Sequence, residues 1–226
     1  MTHSTGISLL KRWWLPIGLA GVVPIAFLGC ATMSALDCVT ADWKTLGEQD
    51  GAEGQPLSKM EERRKACIKH AVRLDDAAYK VGREAGLAVY CTEQGGFTAG
   101  QNGSYYHGVC TGVAYSLFGG GYARGQTLWH AVQEFRGAEY RVSEIEKRVD
   151  RLERANIELS QLISDADTPD EDRDRHQDQI KENTEKIRRL LRDLETEIRS
   201  KESLRSDLRR LEDKAESDGF VVIRRS

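Results

Sequence analysis

The chain has 226 residues and a formal net charge of −3 at pH 7, with 31% charged and 7% aromatic residues. This length suits one or two modest domains, and the apolar residues must be concentrated in parts of the chain. A nucleic-acid-binding protein would show a clustered excess of basic residues, so the acidic balance argues against nucleic acid as a partner.

The N-terminus has the pattern of an export signal. Lys11 and Arg12 precede an uncharged run from Trp13 to Gly29 that contains two prolines. A positive start, an apolar middle and a small residue before the cut are the features that secretion requires. The run is shorter than the ~20 apolar residues of a membrane-spanning helix. We predict that residues 1–29 are a signal peptide, and the alternative is an uncleaved anchor.

The end of this run, Phe27-Leu28-Gly29-Cys30, resembles the lipobox of bacterial lipoproteins, although Phe27 stands where Leu, Val or Ile is usual. The resemblance implies that Cys30 carries acyl chains such as palmitate and holds the protein in a membrane. Ala31 follows, where an Asp commonly retains lipoproteins in the inner membrane. We therefore expect a lipid-anchored protein of the cell envelope, at the outer membrane and facing the periplasm.

Four further cysteines, Cys38, Cys67, Cys91 and Cys110, are an even number in an oxidising compartment. This predicts two disulfides, for which the sequence permits three pairings. We prefer Cys38–Cys67 and Cys91–Cys110, because the second two cysteines bracket one glycine-rich loop. In the chain-entropy model each bridge stabilises the fold by about 3–4 kcal/mol.

A zinc site is the competing interpretation of these cysteines. His70 lies three residues after Cys67, and His107 lies three residues before Cys110. Structural zinc sites usually combine two tight ligand clusters, and export favours oxidation of the thiols instead. We predict no metal and no cofactor.

We expect residues 30–56 to form the lipidated N-terminus and a linker, and residues 57–122 to form a small helical domain tied by the disulfides. Ser58 and Glu61 have the spacing of a capping box, which predicts a helix from about Lys59 to Leu74. A second helix is expected from about Asp76 to Val89. Its two glycines, four residues apart, share one face and allow close contact between backbones, and these are Gly82 and Gly86.

From Cys91 to Tyr122 the glycines are dense, which predicts an irregular loop with several left-handed turns. The spacing differs from that of a phosphate-binding loop. Aromatic residues in this loop are expected to fill the core. Three of its residues are the candidates for a binding face, namely Tyr105, Tyr106 and His107.

One set of spacings in this domain resembles a domain of unknown function found in envelope lipoproteins of Gram-negative bacteria. It comprises Tyr79-x2-Gly82-x3-Gly86-Leu87-x2-Tyr90-Cys91, then Gly95, Gly100, Gly103, Tyr106, Cys110 and Tyr122-x2-Gly125, preceded by Cys38, Asp42-Trp43, Gly47, Asp50-Gly51 and Gly54. The resemblance covers Cys38 to about Gln126. It implies export, acylation and a mostly helical, disulfide-tied domain, and it brings no activity and no catalytic residues.

Residues 123–216 have the periodicity of a coiled coil. Apolar residues recur every three or four positions in two runs, which Ser164 to Asp170 interrupts. The seams are Leu128, Ala131, Phe135, Ala138, Val142, Ile145, Val149, Leu152, Asn156, Leu159 and Ile163, and Ile180, Ile187, Leu191, Leu194, Ile198, Leu204, Leu208, Leu211 and Ala215. Their similar lengths predict a long antiparallel helical hairpin.

Folding the two runs together is expected to place Leu128 near Leu208 and Val149 near Ile187. Asn156 falls on the seam, where a polar residue either fixes the register or is simply tolerated. The tail, residues 217–226, holds the apolar segment Phe220–Ile223. This segment either adds to a sheet edge elsewhere or packs back on the domain.

These features predict a mainly α protein that acts as a non-catalytic scaffold, with the hairpin meeting protein partners or a second copy. The first alternative is a small-ligand or cell-wall binding domain that uses the Tyr- and Gly-rich disulfide loop. The second is a hydrolase, whose only candidate side chains are His107, His70, Asp75 and Asp76. No nucleophile motif accompanies them, so we predict that the protein is not an enzyme.

Overall fold

A computed structural model describes residues 33–224, which belong to one compact unit. The signal peptide, the lipobox and Cys30 lie outside these residues. Within them the chain forms seven helices: α1 (Ala35–Thr40), α2 (Trp43–Ala52), α3 (Ser58–Ile68), α4 (Asp76–Tyr90), α5 (Glu93–Gln101), α6 (Gly112–Ser164) and α7 (Asp170–Ser217). The expected fold class, a helical disulfide-tied domain followed by a helical hairpin, is confirmed.

Side-chain caps start four of the five short helices, and those of α2, α4 and α5 are single hydrogen-bonding side chains. The Asp42 carboxylate accepts hydrogen bonds from the backbone N–H groups of Lys44 and Thr45 at the start of α2. Asp75 accepts from Ala78 N–H at the start of α4, and the Thr92 hydroxyl accepts from Gly95 N–H at the start of α5. Each cap satisfies a donor that has no partner within its helix.

The prediction of a capping box at Ser58 is wrong. Ser58 lies inside α3, whose N-cap is Leu57 and makes no side-chain hydrogen bond. The capping box forms instead at α1, between Ser34 and Asp37. Helix α3 also ends at Ile68, before the expected Leu74, because the chain turns through Ala71 with a left-handed φ of 58°.

Helices α2 and α4, the first helix pair, pack backbone against backbone. Gly47 and Gly51 of α2 face the carbonyl groups of α4, while Gly82 and Gly86 of α4 face those of α2. A Cβ atom at any of the four would lie between 1.9 and 2.3 Å from a carbonyl oxygen of the opposite helix. Only glycine fits these positions, and the close contact expected for Gly82 and Gly86 is confirmed.

Helix α5 and the beginning of α6, the second helix pair, repeat this arrangement. Gly96 and Gly100 of α5 face carbonyl groups of α6, and Gly121 and Gly125 of α6 face those of α5. A Cβ atom added at any of these four glycines would again lie 1.9 to 2.3 Å from the nearest carbonyl oxygen. The second pair therefore depends on glycine in the same way as the first.

The two pairs are copies of one structural unit. The first helix of each, together with the turn that follows it, has the pattern Gly-x3-Gly-x2-Gly. The third glycine, Gly54 or Gly103, lies in that turn and has a left-handed φ of 68° or 66°. The second helix of each has the pattern aromatic-x2-Gly-x3-Gly-x3-aromatic. Its last aromatic ring, Tyr90 or Trp129, lies directly against that third glycine. This repeat was not among the expectations from the sequence.

Two expectations about the domain need correction. Most of the glycines expected in an irregular loop between Cys91 and Tyr122 lie in helices, and the loop itself is confined to residues 102–111. Residues expected to be a linker before position 57 include α1 and α2. Glycine has low helix propensity when considered locally, but here the close approach of two backbones outweighs that cost.

Helices α6 and α7 form the hairpin, and their register is visible in two contacts. Asn183 Nδ2 donates a hydrogen bond to Asn156 Oδ1 across the seam at 2.9 Å, and the Arg141 guanidinium lies 2.9 Å from Glu197. Leu128 packs in one cluster with Leu208, as expected, and also with Leu211.

This register bears on two other expectations for the seam, of which the placement of Leu191 is wrong. Val149 lies seven residues before Asn156, and Leu190 lies seven residues after Asn183. In antiparallel helices this places Val149 opposite Leu190, about one helical turn from the expected Ile187. Val149 and Leu190 are both buried, whereas Leu191, which we placed on the seam, is 47% exposed. The apolar spacing of α7 is irregular, so the sequence pattern alone did not determine the register.

Helix α6 is continuous from the second helix pair to the tip of the hairpin. Its 53 residues include Gly121 and Gly125, which pack in the domain, and Val149, which packs in the hairpin. The boundary expected near residue 122 therefore falls within a helix.

Candidate functional site

The C-terminal tail folds back onto the second helix pair, one of the two positions expected for it. The Phe220 ring stacks on Phe97, with ring centroids 4.4 Å apart and an angle of 19° between their planes. Phe97 is fully buried and Phe220 nearly so. The Arg124 guanidinium lies 5.4 Å from the centroid of the Phe220 ring, close enough for a cation–π contact.

Two glutamine side chains of α5 hold the backbone of the tail. Val221 N–H donates to Gln94 Oε1 at 3.0 Å, and Ile223 N–H donates to Gln101 Oε1 at 3.1 Å. Gln101 Nε2 also donates to the Val221 carbonyl at 3.4 Å. Gln101 is buried, so these bonds satisfy an amide that has little access to water. The tail is thus bound as an extended segment.

A cavity of about 230 Å³ lies beside Phe220, between the tail and the base of the hairpin. Leu128, Leu211 and Ala215 are among the residues that line it. The two cations near it have acidic partners, because Arg124 binds Glu93 at 2.6 Å and Lys214 binds Asp218 at 3.1 Å. The cavity is smaller than the pockets that bury most small-molecule ligands, at roughly 300–1,000 Å³.

The three candidate binding residues of the disulfide loop have different environments. The Tyr106 hydroxyl accepts from Cys110 N–H at 3.0 Å and donates to the Cys110 carbonyl at 3.3 Å. Its ring lies 4.6 Å from that of Phe118, so Tyr106 supports the core. Tyr105 is 78% exposed, and its ring lies 5.0 Å from that of His107, which is also exposed. Of the three, Tyr105 and His107 are the ones available to a ligand.

Both preferred disulfides are confirmed. Cys38 pairs with Cys67 and Cys91 pairs with Cys110, with a Cα–Cα distance of 5.5 Å in each bridge. In each helix pair, one cysteine precedes the first helix and the other precedes the second helix. Between residues 33 and 224, no three His, Cys, Asp or Glu side chains converge in the manner of a metal site.

A buried charge network fills the first helix pair, and it was not predicted from the sequence. The Asp50 carboxylate is 2% exposed and accepts hydrogen bonds from Arg63 Nε at 2.7 Å, Arg63 Nη2 at 2.6 Å and the Tyr79 hydroxyl. In the sequence Asp50–Gly51 resembles a turn, and no local pattern marks Asp50 as buried. The network ties α2, α3 and α4 together.

The pKa values in this network follow from burial and hydrogen bonding. Burial, and then the hydrogen bond to Asp50, raise the pKa of the Tyr79 hydroxyl. The hydrogen bond to Asp50 raises the pKa of Arg63. Tyr79 is therefore a neutral donor and Arg63 a permanent cation, which is the combination that a buried carboxylate requires.

The candidate catalytic side chains have structural partners or stand exposed. Asp75 caps α4, and Asp76 forms an ion pair with Arg64 at 2.6 Å. The hydrogen bond from Arg64 lowers the pKa of Asp76. His70 lies exposed in the turn after α3, and His107 packs edge-on against Tyr105.

The hairpin presents a charged surface with a few exposed apolar side chains. Ion pairs run along both helices, such as Asp150 with Arg154 on α6 and Glu195 with Arg199 on α7. The exposed apolar residues among these charges are Tyr140, Ile157, Leu162 and Leu191. In the part of the chain from Met33 to Arg224, no helix has the length and apolarity needed to cross a bilayer.

Comparison with known proteins gives one match. Residues 42–127 match the model of the family described as "Protein of unknown function (DUF2799)". No curated protein and no solved structure matches the chain. The match begins at the cap of α2 and ends in α6, so it includes both glycine-packed helix pairs and leaves out the hairpin. The chain therefore contains a domain of this uncharacterised family, as the resemblance in its sequence implied.

Proposed function

We propose that the protein is an envelope lipoprotein that acts as a non-catalytic scaffold. Acylated Cys30 anchors it in a membrane, which we take to be the outer membrane, and the hairpin meets protein partners. The observation that carries this proposal is the continuity of α6, which joins the glycine-packed domain to the tip of the hairpin without a break. A partner that binds the tip is thereby connected to the anchored domain.

The base of the hairpin is well suited to a scaffold because it is fastened at several points. Gly121 and Gly125 pack in the second helix pair, and Leu128 is buried one turn further along α6. Leu208 and Leu211 of α7 pack in the same cluster as Leu128, together with Phe220 of the tail. Both helices of the hairpin are therefore attached to the domain.

The hairpin also has a defined register, so it offers partners a fixed pattern of side chains. The Asn156–Asn183 hydrogen bond aligns the two helices, because a shift along the seam would leave both amides facing apolar residues. The contact between Arg141 and Glu197 supports the same alignment nearer the base. Exposed Ile157 and Leu162 then lie at defined places near the tip.

The proposed anchor would keep the domain close to the membrane. Helix α1 begins at Ala35, five residues after Cys30. Five extended residues span at most about 18 Å. An acyl-modified Cys30 would therefore hold the first helix pair near the lipid surface, with the far end of α6 available to partners in the periplasm.

Cross-linking in intact cells, followed by purification and mass spectrometry, tests the scaffold. The variant to compare lacks residues 150–189, joined by a short turn, and keeps Leu208 and Leu211 so that the second helix pair stays covered. We expect cross-linked partners to be lost while both disulfides still form. Unchanged partners and full function without the tip would overturn the proposal. A full-length variant with Ile157→Glu and Leu162→Glu is the matched comparison. It keeps the length of the hairpin and changes only its exposed apolar side chains, so it separates loss of the surface from loss of length.

Intact mass spectrometry of the detergent-extracted protein tests the anchor. We expect a chain that begins at Cys30 and carries acyl chains, and we expect Cys30→Ser to abolish both the acylation and the cleavage. Fractionation of the two membranes then tests the outer-membrane location. A full-length mass without acyl groups would overturn the anchor, and the hairpin experiment would remain valid.

A second candidate function is binding of a small ligand or of cell wall by the second disulfide loop. The exposed Tyr105 ring packed against His107 is the observation that favours it. Binding of the purified protein to cell-wall sacculi is the measurement. Tyr105→Ala is expected to abolish binding without loss of fold, whereas Tyr106→Ala would disturb the core. Equal sedimentation of wild type and Tyr105→Ala with sacculi would exclude this function for the loop.

A further inference from the structure

We propose that the outer groove of the first helix pair docks an amphipathic helix of a partner protein that presents a Lys or Arg to Glu48. This groove is remote in sequence from the hairpin, and the inference goes beyond the scaffold proposed above because it needs neither the anchor nor the hairpin tip. It follows from the comparison of the two helix pairs.

In the second pair, the chain itself covers the corresponding groove. Phe97 of α5 and Leu128 of α6 are 0% and 5% exposed. Leu208, Leu211 and Ala215 of α7 and Phe220 of the tail are the residues that pack over them. The covering element is thus a helix with apolar residues at positions i, i+3 and i+7, followed by one aromatic side chain.

In the first pair, the same positions are uncovered. The repeat places Glu48 at the position of Phe97 and Val89 at the position of Leu128. Glu48 is exposed and Val89 is 69% exposed. Ala85 and Ala88 stand in place of Arg124 and Thr127, and both are exposed. The glycine contacts of the two pairs are equivalent, so the first groove can accept a helix in the same place.

The side chains of this groove define the occupant. Val81, Ala85, Ala88 and Val89 give α4 an exposed apolar stripe, on which small side chains leave room for larger ones. Glu48 stands opposite this stripe on α2 and has no ion pair among the residues between 33 and 224. Lys44, one turn earlier on α2, is exposed and likewise makes no ion pair within residues 33–224. A helix that covers Glu48 has to leave the carboxylate a hydrogen-bonding cation, which a Lys or Arg of the partner supplies most directly, because burial of an unpaired carboxylate is costly.

Glu48 occupies the position of Phe97, which stacks on Phe220 in the second pair. In the first pair, a basic residue of the partner would therefore take the place of Phe220. The expected partner helix has apolar residues at i, i+3 and i+7, as α7 has, with Lys or Arg near the end that faces α2. This is the helix-in-groove mode of recognition, with specificity set by one charge.

The test uses two labelled peptides with the sequence of residues 204–223, one unchanged and one with Phe220→Lys. Each is titrated into the purified full-length protein, and fluorescence anisotropy reports binding. The chain's own tail fills the second groove, so the first groove is the one open to an added peptide. We expect the Phe220→Lys peptide to bind the wild-type chain about tenfold more tightly than the unchanged peptide.

Variants of the chain make the test specific. Glu48→Phe copies the second pair and is expected to reverse the preference between the two peptides. Val89→Arg is expected to weaken binding of both peptides about tenfold or more. Val113→Arg, at another exposed valine on a helix, is the matched control and should leave binding unchanged. Circular dichroism checks that each variant is folded.

Three outcomes would overturn the inference. One is the absence of binding by either peptide, and another is binding that neither Glu48→Phe nor Val89→Arg alters, which would indicate exchange with the tail in the second groove. The third is self-association of the wild-type chain in sedimentation that Val89→Arg abolishes, because the groove would then bind a second copy. None of these depends on residues 150–189, so failure here leaves the hairpin proposal standing.

Discussion

The two helix pairs share one backbone arrangement and differ in what fills it. In the first, Asp50, Arg63 and Tyr79 form a buried charge network. In the second, Ala99 stands at the position of Asp50 and Phe118 at that of Tyr79, and both belong to an apolar cluster. Glycine spacing thus specifies how the helices approach, while the side chains between and around them are free to diverge.

The outer faces differ in a related way. The second pair carries Phe97 where α7 and the tail cover it, and the first carries Glu48 where water reaches it. An apolar side chain is stabilising only at a covered position, so at this one position, Phe97 or Glu48, each pair has the residue that suits its exposure in the free chain. Substitutions in both pairs test how far this equivalence holds.

The largest effect is expected from adding one methyl group at a helix contact in either pair. Gly86→Ala and Gly121→Ala would each place a Cβ atom about 2 Å from an opposing carbonyl oxygen. Each is expected to lower the free energy of unfolding by at least about 3 kcal/mol, because the two backbones must separate. Urea unfolding followed by circular dichroism measures it.

Two other glycines of α6 provide the control. Gly119 and Gly120 have open space where the Cβ atom of an alanine would lie. Alanine at either position is expected to stabilise the helix by about 1 kcal/mol, because alanine has the higher helix propensity. Equal stability of Gly86→Ala and the wild type would show that the first pair does not depend on its glycine contact.

An intermediate effect is expected from breaking the buried network of the first pair. Arg63→Met leaves the buried Asp50 carboxylate without its cation and is expected to lower the free energy of unfolding by about 3 kcal/mol, the lower end for a buried ion pair, because the Arg63 side chain is 17% exposed. The same urea unfolding measures this loss.

Making the first pair resemble the second should restore the stability. The triple variant Asp50→Ala, Arg63→Met, Tyr79→Phe removes every polar member of the network together and copies Ala99 and Phe118 at two positions. Its stability is expected to lie within about 1 kcal/mol of the wild type. A triple variant no more stable than Arg63→Met alone would mean that the network specifies the fold of the first pair.

The smallest effect concerns the N-caps of the first helix in each pair. Asp42 caps α2 and can be protonated, whereas Thr92 caps α5 and cannot. Hydrogen bonds from Thr45 and Lys44 lower the pKa of Asp42 below its usual value. The native state therefore favours the carboxylate, and its contribution to stability is present above about pH 3.9 and is lost as the pH falls through the lowered pKa.

Thermal unfolding between about pH 2 and pH 5 checks this difference. Asp42→Asn keeps a capping side chain without the ionisation, so it should lose less stability on acidification than the wild type. Thr92→Asp should give the second pair a similar sensitivity to acid. Parallel pH profiles for the wild type and Asp42→Asn would exclude a contribution from this cap.

Local rules predicted the parts of the fold that depend on short-range patterns. The expectation of export and an even cysteine count led to both disulfides, and the three-and-four spacing of apolar residues led to the hairpin. The start of α4 at Asp76 was likewise predicted from periodicity. Of the candidate binding residues, Tyr105 and His107 are exposed, while Tyr106 is held by Cys110 and Phe118.

The remaining features depend on contacts between distant segments. Glycines of α5 and α6 look like loop residues in the sequence, and only the opposing backbone shows why they are helical. The burial of Asp50 depends on Arg63 and Tyr79, which come from two other helices. The spacing Gly-x3-Gly-x2-Gly recurs at residues 47–54 and 96–103, and this signal could have revealed the repeat from the sequence.

The unbroken course of α6 also has a mechanical consequence. From Gly125 to Ser164 the helix extends for about 60 Å, at about 1.5 Å per residue. A rotation of about 10° at the glycine contacts would move its far end by about 10 Å. A small change in how the second pair packs would therefore give a large displacement at the distal end of the helix.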